Sequence, residues 1–193
     1  MRLKGPVWLM QPIPYFGESI SGDWIYEPKI DGWRLQILKF ANGKVEIWGR
    51  RLERNPNWTK KLERIAVKAG ELFPPGILLD AEISTRRGRR FIPSIFAAKT
   101  TVKPIIYIFD IIFYQNEFVG ELPLKERKRI LSSLKFEPPF QLVKYKPIKD
   151  IKSHLWKLVQ MGHEGMVIKR LNSTYQIGRD CPIATENWRK IKP

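Results

Sequence analysis

The 193-residue chain is poor in the residues that build disulfides and zinc sites. Its single cysteine, Cys181, excludes an intrachain disulfide, and His154 and His163 do not complete a zinc-binding set with it. No apolar run approaches the roughly 20 residues of a membrane helix, and no apolar segment of signal-peptide length stands near the first residues. We therefore expect a cytoplasmic protein, associated with the nucleoid if prokaryotic, that does not contact a membrane.

Acidic residues are scarce relative to basic ones. The chain holds 35 lysines and arginines against 19 aspartates and glutamates, a formal net charge of +16. An excess of this size is typical of proteins with polyanionic partners, because a positive surface neutralises phosphates and releases counterions. Charge alone does not separate DNA from RNA or an anionic membrane. Four arginines fall within residues 85–90, a loop that is either solvated or in contact with phosphates.

Hydrophobic periodicity predicts one α+β domain over residues 1–193. Strand-like runs occupy residues 24–28, 33–40, 45–48, 77–83, 103–114, 165–170 and 187–192. Helical spacing predicts helices over 57–72, 123–134 and 150–161, whereas residues 1–22, rich in proline and glycine, are expected to be irregular. Antiparallel hairpins with interspersed helices favour an α+β fold over a doubly wound parallel sheet.

Residues 29–34 read K-I-D-G-W-R and lie between two predicted strands. A lysine attacks phosphorus only as the neutral amine, so its surroundings must suppress its charge. Lys29 has a carboxylate, a glycine and an arginine as close neighbours in the chain. The simpler interpretation is a surface lysine on a charged hairpin edge, with Gly32 providing a bend.

Charged residues recur inside later strand-like runs. Glu82 lies within an apolar run at 79–83, Phe109 and Asp110 lie within another at 108–114, and Glu164 precedes a third. Trp188 is then followed by two lysines, Lys190 and Lys192, whose two-residue spacing places them on one face of a strand.

These segments, in this order, resemble nucleotidyltransferase motifs I, III, IIIa, IV and V of ATP-dependent DNA ligases. Residues 48–53 resemble the arginine motif after the first hairpin, which often carries serine where this chain has Gly49, and residues 122–127 match a further ligase feature. The resemblance covers nearly the whole chain. It implies two twisted, mainly antiparallel sheets with flanking helices and a nucleotide groove between them, of the ATP-grasp-like kind.

The resemblance also implies a reaction through an enzyme–adenylate. By motif position, Lys29 would attack the α-phosphorus of ATP, and Asp31 would orient it or hold a metal-bound water. Lys190 and Lys192 would grip the α-phosphate. An ion pair between Asp31 and Arg34, and an exposed basic strand end at the two lysines, are the simpler alternatives.

Motif positions imply further contacts with the nucleotide and a metal ion. The cofactor-binding set comprises Glu27 at the adenine edge, Ile30, Arg34 at the ribose hydroxyls, Arg50, Glu82 and Phe109, with Lys190 and Lys192. Arg50 would bind phosphate, a role that Arg51 could fill instead, and Phe109 would stack on adenine. Glu82 and Glu164 would hold Mg²⁺ or Mn²⁺. Core packing for Phe109, and pairing with an adjacent arginine for Glu82, remain open.

The resemblance implies nicked double-stranded DNA as substrate and a monomeric enzyme. Ligases of this kind continue past motif V into an oligonucleotide-binding barrel. This sequence ends directly after motif V, so we expect either a piece of a longer protein that carries the barrel or a minimal protein without it, for which a separate barrel or DNA-repair partner could take its place. An RNA ligase or a GTP-using capping enzyme shares the lysine chemistry, and a non-catalytic module that binds nucleic acid is the alternative outside enzymes. The segments at 48–53 and 122–127 favour the DNA ligase.

Overall fold

The structure, a computed structural model, describes all residues from 1 to 193. Eleven strands run as β1 (Gln11–Pro14), β2 (Trp24–Pro28), β3 (Trp33–Lys39), β4 (Val45–Gly49), β5 (Ile77–Ser84), β6 (Ile105–Tyr114), β7 (Glu117–Phe118), β8 (Phe140–Leu142), β9 (Lys146–Pro147), β10 (Met166–Arg170) and β11 (Ala184–Ile191). Four helices are α1 (Glu63–Leu72), α2 (Ile92–Ile95), α3 (Leu124–Ser133) and α4 (Ile151–Gln160). None of them has the length and apolar character needed to cross a membrane.

The strands form two sheets, which confirms the predicted α+β architecture. The first sheet has the order β4-β3-β5-β6-β7, with β8 added alongside β6, and the second has the order β1-β11-β10-β2-β9. All pairings are antiparallel except β1 with β11 and β6 with β8. The chain passes from the second sheet to the first between β2 and β3, so residues 29–32 connect the two sheets.

Apolar side chains hold the two sheets together and cover their outer faces. Helix α1 buries Ile65, Ala66 and Ala69 in the largest cluster, with side chains of the first sheet. Helix α4 contributes Leu158 to a smaller cluster with second-sheet residues. A third cluster joins residues of both sheets, among them Ile112 and Trp188. The sheets are thereby fixed relative to one another around the segment that connects them.

Three features differ from the sequence predictions. Residues 11–14 form β1, although the segment 1–22 was expected to be irregular. The strand pairs with β11, which lies over 170 positions away in the chain. Pro12 and Pro14 interrupt the alternation of residues that would predict a strand. The helix expected over 57–72 begins only at Glu63, because the Trp58 backbone N–H bonds to Ile47 O at 2.8 Å. The short strands β7, β8 and β9 have too few residues to show a period.

Candidate active site

A cavity of about 890 Å³ opens between the sheets. It is lined by ten of the predicted site residues: Glu27, Lys29, Ile30, Arg34, Arg50, Glu82, Phe109, Glu164, Lys190 and Lys192. Asp31 is the exception, because it is exposed and does not line the cavity. The wall contributed by β2, β6, β10, β11 and the segments beside them is called the inner wall. The wall formed by residues 50–61, after β4, is called the basic wall.

Two glycines allow the backbone to place Lys29 in the cavity. The Lys29 N–H donates to Gly165 O at 2.9 Å, which ties the lysine to the loop before β10. Gly165 has φ +152°, and a Cβ there would lie 2.1 Å from Ile191 O. A Cβ on Gly32 would lie 2.3 Å from Ile83 O. A side chain at either position would push apart the segments that hold the lysine. This close approach accounts for the glycines that follow Asp31 and Glu164 in the sequence.

The side chain of Lys29 is paired with Glu164. Lys29 Nζ bonds to one carboxylate oxygen of Glu164, and Lys192 Nζ bonds to the other. Burial alone would raise the pKa of Glu164, but hydrogen bonds from Lys192 and Lys29 outweigh burial, so its pKa is lowered. The carboxylate therefore stays ionised and holds two amines beside each other, while Lys190 lines the same cavity.

Arg34 is held by Asp80 rather than by Asp31. Arg34 Nε and Nη2 donate to the Asp80 carboxylate at 2.9 and 2.6 Å, and Tyr175 Oη donates to the same group at 2.7 Å. Asp31 instead faces Arg89, with a separation of 3.3 Å. The alternative of an Asp31–Arg34 ion pair is therefore wrong, because strand pairing carries Arg34 toward β5 and leaves Asp31 on the connecting segment.

Glu82 lies in the cavity wall without a basic partner. Arg34, its cross-strand neighbour, is occupied by Asp80, and no ion pair of the chain includes Glu82. Burial raises its pKa to about 7, against the lowering effect of the charges on Lys29 and Arg34. The alternative that an adjacent arginine satisfies Glu82 is not what the structure shows.

A buried cluster of charges lies behind the inner wall. The Glu27 carboxylate bonds to Lys128 on α3, and Lys169 Nζ lies 2.7 Å from its second oxygen. Lys128 also donates to Phe109 O at 2.7 Å. Burial, with the nearby charge of Lys128, lowers the pKa of Lys169 despite Glu27. The sequence analysis did not include either lysine; Lys169, inside the run 166–170, carried the only visible signal.

Aromatic rings face the cavity above this cluster. Phe109 and Trp188 both line it and meet edge to face, with centroids 6.4 Å apart. Lys169 Nζ lies 3.9 Å from the Trp188 ring centroid and 4.7 Å from that of Phe109. Trp188 Nε1 is a buried donor without a hydrogen-bond partner, whereas Lys169 Nζ is ion-paired with Glu27. Phe109 thus belongs to the cavity wall as well as to the edge of an apolar cluster.

Asp110, next to Phe109, has a structural role. Its carboxylate receives two hydrogen bonds from Arg127 on α3, at 2.8 and 3.0 Å, and both residues are fully buried. Arg127 also donates to Leu122 O and Ser173 O. Burial would raise the pKa of Asp110, yet Arg127 lowers it. The pair fixes α3, and hence Lys128, against β6.

Cations dominate the basic wall. Arg50, Arg51, Arg54 and Lys61 are exposed, line the cavity and take part in none of the ion pairs of the chain. Partial burial and the charges of Arg34 and Arg51 lower the pKa of Arg50. Arg50 and Arg51 both line the cavity, so the geometry does not choose between them as the phosphate ligand.

The chain has no cluster of three or more His, Cys, Asp or Glu side chains that could hold a metal ion. The two carboxylates predicted for a metal, Glu82 and Glu164, nevertheless both line the cavity. Mg²⁺ in phosphate-transfer sites needs only one or two carboxylates, because substrate phosphates and waters complete its shell. The donors therefore fit a metal that arrives with a phosphate ligand, and do not form an all-protein cage.

Comparison with known proteins points to one family. A DNA ligase of Archaeoglobus fulgidus is 31% identical over 183 residues, covering 86% of this chain and 31% of that protein. The SPbeta prophage-derived DNA ligase-like protein LigB of Bacillus subtilis is 28% identical over 179 residues, covering 88% of this chain and 61% of that protein. The chain thus spans about a third of the length of the archaeal relatives that it matches.

Solved structures share the fold. A mycobacterial DNA ligase D complexed with ATP and MES superposes with a TM-score of 0.69 at 18% identity, over 95% of this chain and 60% of that one. The ATP-dependent DNA ligase of bacteriophage T7 in complex with ATP gives a TM-score of 0.62 at 16% identity, over 96% and 68%. The family described as ATP dependent DNA ligase domain matches residues 12–192. The chain therefore belongs to the ATP dependent DNA ligase domain family.

Proposed function

We propose that this chain is an adenylyltransferase that charges Lys29 with AMP from ATP and passes the AMP to the 5′-phosphate of a nick in double-stranded DNA. The observation that carries the proposal is the Lys29–Glu164–Lys192 arrangement inside the cavity, with Lys190 beside it. Family membership and the DNA ligase names of the relatives support it, and neither favours an RNA ligase or a capping enzyme.

The first step forms a bond between Lys29 Nζ and the α-phosphorus and breaks the bond from that phosphorus to pyrophosphate. Because only the neutral amine attacks, Lys29 must leave Glu164 and lose a proton to solvent. Lys190 and Lys192 are placed to offset the negative charge that develops on the α-phosphate oxygens. The binding of a phosphate group would also compete with Glu164 for the amines and release Lys29.

Transfer of AMP to DNA breaks the P–N bond that the first step formed. An oxygen of the 5′-phosphate attacks the same phosphorus, the P–N bond breaks, and the Lys29 amine takes a proton again. The 3′-hydroxyl of the neighbouring strand then attacks the 5′-phosphate and loses its proton to solvent, the phosphodiester forms, and the bond to AMP breaks so that AMP leaves. Both steps move charge on phosphate oxygens, so positioning and cations supply most of the acceleration.

The inner wall suits an adenine base. A flat apolar ring such as Phe109 stacks on a purine face, and Trp188 Nε1 stands nearby without a hydrogen-bond partner. A ring nitrogen of the base would accept from it. Arg34, fixed by Asp80 and Tyr175, would donate to the ribose hydroxyls, and Glu82 would accept from them when ionised.

A divalent ion would be held by Glu164, with Glu82 as a second donor, together with phosphate oxygens. When bound, it would neutralise charge on the transferred phosphoryl group. Asp31, which is exposed and outside the cavity lining, would orient the connecting segment through Arg89, which lines the cavity. The basic wall and the net charge of +16 supply contacts to the DNA backbone.

Incubation with labelled ATP followed by denaturing electrophoresis tests the proposal. A covalent label that appears with ATP, is lost in Lys29→Arg and remains in the matched control Lys60→Arg supports it; Lys60 is exposed and does not line the cavity. Label from GTP instead of ATP would indicate a capping-type enzyme. No label from either nucleotide would favour a module that only binds nucleic acid.

A further inference from the structure

Trp58 of the basic wall and Trp33, at the start of β3, form an aromatic surface to which the nucleotide contacts proposed above assign no role. Trp33 and Trp58 both line the cavity, and their ring centroids lie 6.1 Å apart. Phe96 stacks on Trp33 at 5.6 Å and meets Trp58 edge to face at 5.1 Å, so the three rings pack against one another beside the largest apolar cluster. These two indoles belong to a different part of the wall from Phe109 and Trp188.

Gly49 creates the space that Trp58 occupies. A Cβ at position 49 would lie 2.5 Å from Trp58 Cζ2 and 2.8 Å from Cη2, so the indole rests directly on the glycine backbone. The Gly49 N–H donates to Pro56 O at 2.9 Å and closes the loop that carries Trp58 back over β4. A serine at position 49, as the resembling ligase motif often has, would displace the ring. Gly49 and Trp58 therefore act as a pair in this chain.

The side chains around this pair are cationic or polar. Arg50, Arg51, Arg54 and Lys61 line the cavity beside it, all exposed and none engaged in an ion pair, together with the amide of Asn57. Partly exposed aromatic rings set among unpaired arginines are the combination that binds single nucleic acid strands, because bases stack on the rings while cations follow the phosphates. None of the nucleotide contacts proposed above uses Trp33 or Trp58, so these rings are available to another ligand.

We propose that Gly49, Trp58 and Trp33 form a stacking subsite for the terminal base of the 5′-phosphorylated strand, with the surrounding cations holding the phosphates of that strand. The subsite rests on the proposed transfer of AMP to a 5′-phosphate and specifies what the enzyme contacts next to that group. Stacking on Trp58 would hold the end of the strand in place and aim its phosphate toward Lys29.

The test is a double-mutant cycle in which Trp58→Leu is the change in the protein and an abasic 5′-terminal nucleotide is the change in the DNA. Binding is measured by fluorescence polarisation with 5′-phosphorylated nicked duplexes that carry either a normal or an abasic 5′-terminal nucleotide. Wild-type protein should bind the abasic nick at least about fivefold more weakly, because one stacked base contributes at least that factor. Trp58→Leu should bind both duplexes with equal affinity, near that of wild type for the abasic one.

Two further variants keep the result interpretable. Gly49→Ser keeps the indole but displaces it, so it should also lose the preference for a normal terminal base. Trp156→Leu removes an exposed tryptophan on α4 that does not line the cavity, and should keep the preference. An equal penalty for the abasic nick in wild type, Trp58→Leu and Gly49→Ser would overturn the subsite.

Adenylation is measured separately on the same preparations. If wild-type protein shows the base preference but forms no adenylate, the subsite stands and the proposed enzymatic function fails. If the wild-type protein forms the adenylate but binds both nicks equally, the function stands and the subsite fails. Circular dichroism of Trp58→Leu and Gly49→Ser shows whether each variant is folded, and one folded variant is enough for the test.

Discussion

The carboxylates of the inner wall are mostly bonded to lysines, whereas the cations of the basic wall have no acidic partner. Glu27 and Glu164 each engage two lysine amines, while Arg50 and its neighbours face the cavity unpaired. The ion pairs of the inner wall hold its side chains in place before a ligand binds. Nucleotidyl transfer requires such fixed positions, because the reacting groups must be aligned. Unpaired surface charge instead gives binding that depends on salt and on the phosphates of a longer ligand.

The largest effect is expected where the inner wall is buried. Lys128→Met should destabilise the fold by about 1–3 kcal/mol, because the Glu27 carboxylate and Phe109 O would each lose a buried hydrogen-bond donor while Lys169 still neutralises Glu27. Chemical denaturation measures the loss. Lys125→Met, at an exposed position on the same helix, should cost far less. Equal destabilisation by both would show that the buried pairing does not hold the inner wall.

Glu164→Gln should slow adenylate formation by about 10²-fold or more, the scale expected when a preorganised electrostatic contact is lost. The amide cannot hold two ammonium groups or a divalent ion as the carboxylate does. Single-turnover labelling with ATP across a magnesium and manganese titration measures the rate. Glu186→Gln, at an exposed position on β11, is the matched control. A wild-type rate at every metal concentration would remove Glu164 from the mechanism.

Glu82 should give the stability a distinctive pH dependence. Its pKa is raised from 4.5 to about 7 by burial, so between these values the folded protein binds a proton that the unfolded chain has released. Stability from this group therefore falls as pH rises from about 4.5 to 7, by up to about 3 kcal/mol. Denaturation of both proteins across this range should show the stability of wild type falling relative to that of Glu82→Gln. Parallel curves would contradict a raised pKa at Glu82.

The smallest effect belongs to the basic wall. Lys61→Gln should reduce the slope of log affinity against log salt by about 1 for nicked DNA, because one phosphate contact is lost. Lys60→Gln, next in the chain but outside the cavity wall, should leave the slope close to that of wild type. If both variants change the slope equally, binding depends on the total charge and not on the cavity wall.

The sequence analysis named most of the residues that line the cavity, but not the distant residues that pair with some of them. The resemblance of short segments to motifs of ATP-dependent DNA ligases implied Lys29, Glu164 and Lys192, which the structure brings into contact. Pairings between distant residues leave no such pattern: Glu27 and Lys128 are 101 positions apart. The helix predicted over 57–72 included Trp58, because the backbone bond from Trp58 to β4 is not visible in periodicity. The observed helix begins at Glu63.

The fold shows the same division. Strands with alternating or continuous apolar residues, such as β3 and β6, were predicted to within two residues of their observed bounds. The strand β1 was missed because β11 supplies its hydrogen bonds and its own prolines interrupt the pattern. Local pattern predicts elements, whereas strand order and buried ion pairs are decided by contacts between distant segments.

The most direct test of the central claim is to locate the nucleotide on the chain. After incubation with ATP and a divalent ion, the protein is digested and its peptides are sequenced by mass spectrometry. The account predicts one AMP joined through a P–N bond to Lys29, labile to acid and absent from Lys29→Arg. An adduct on Lys169, Lys190 or Lys192, with Lys29 unmodified, would contradict the assignment of Lys29 as the nucleophile. It would also contradict the claim that the inner wall positions Lys29 for the reaction.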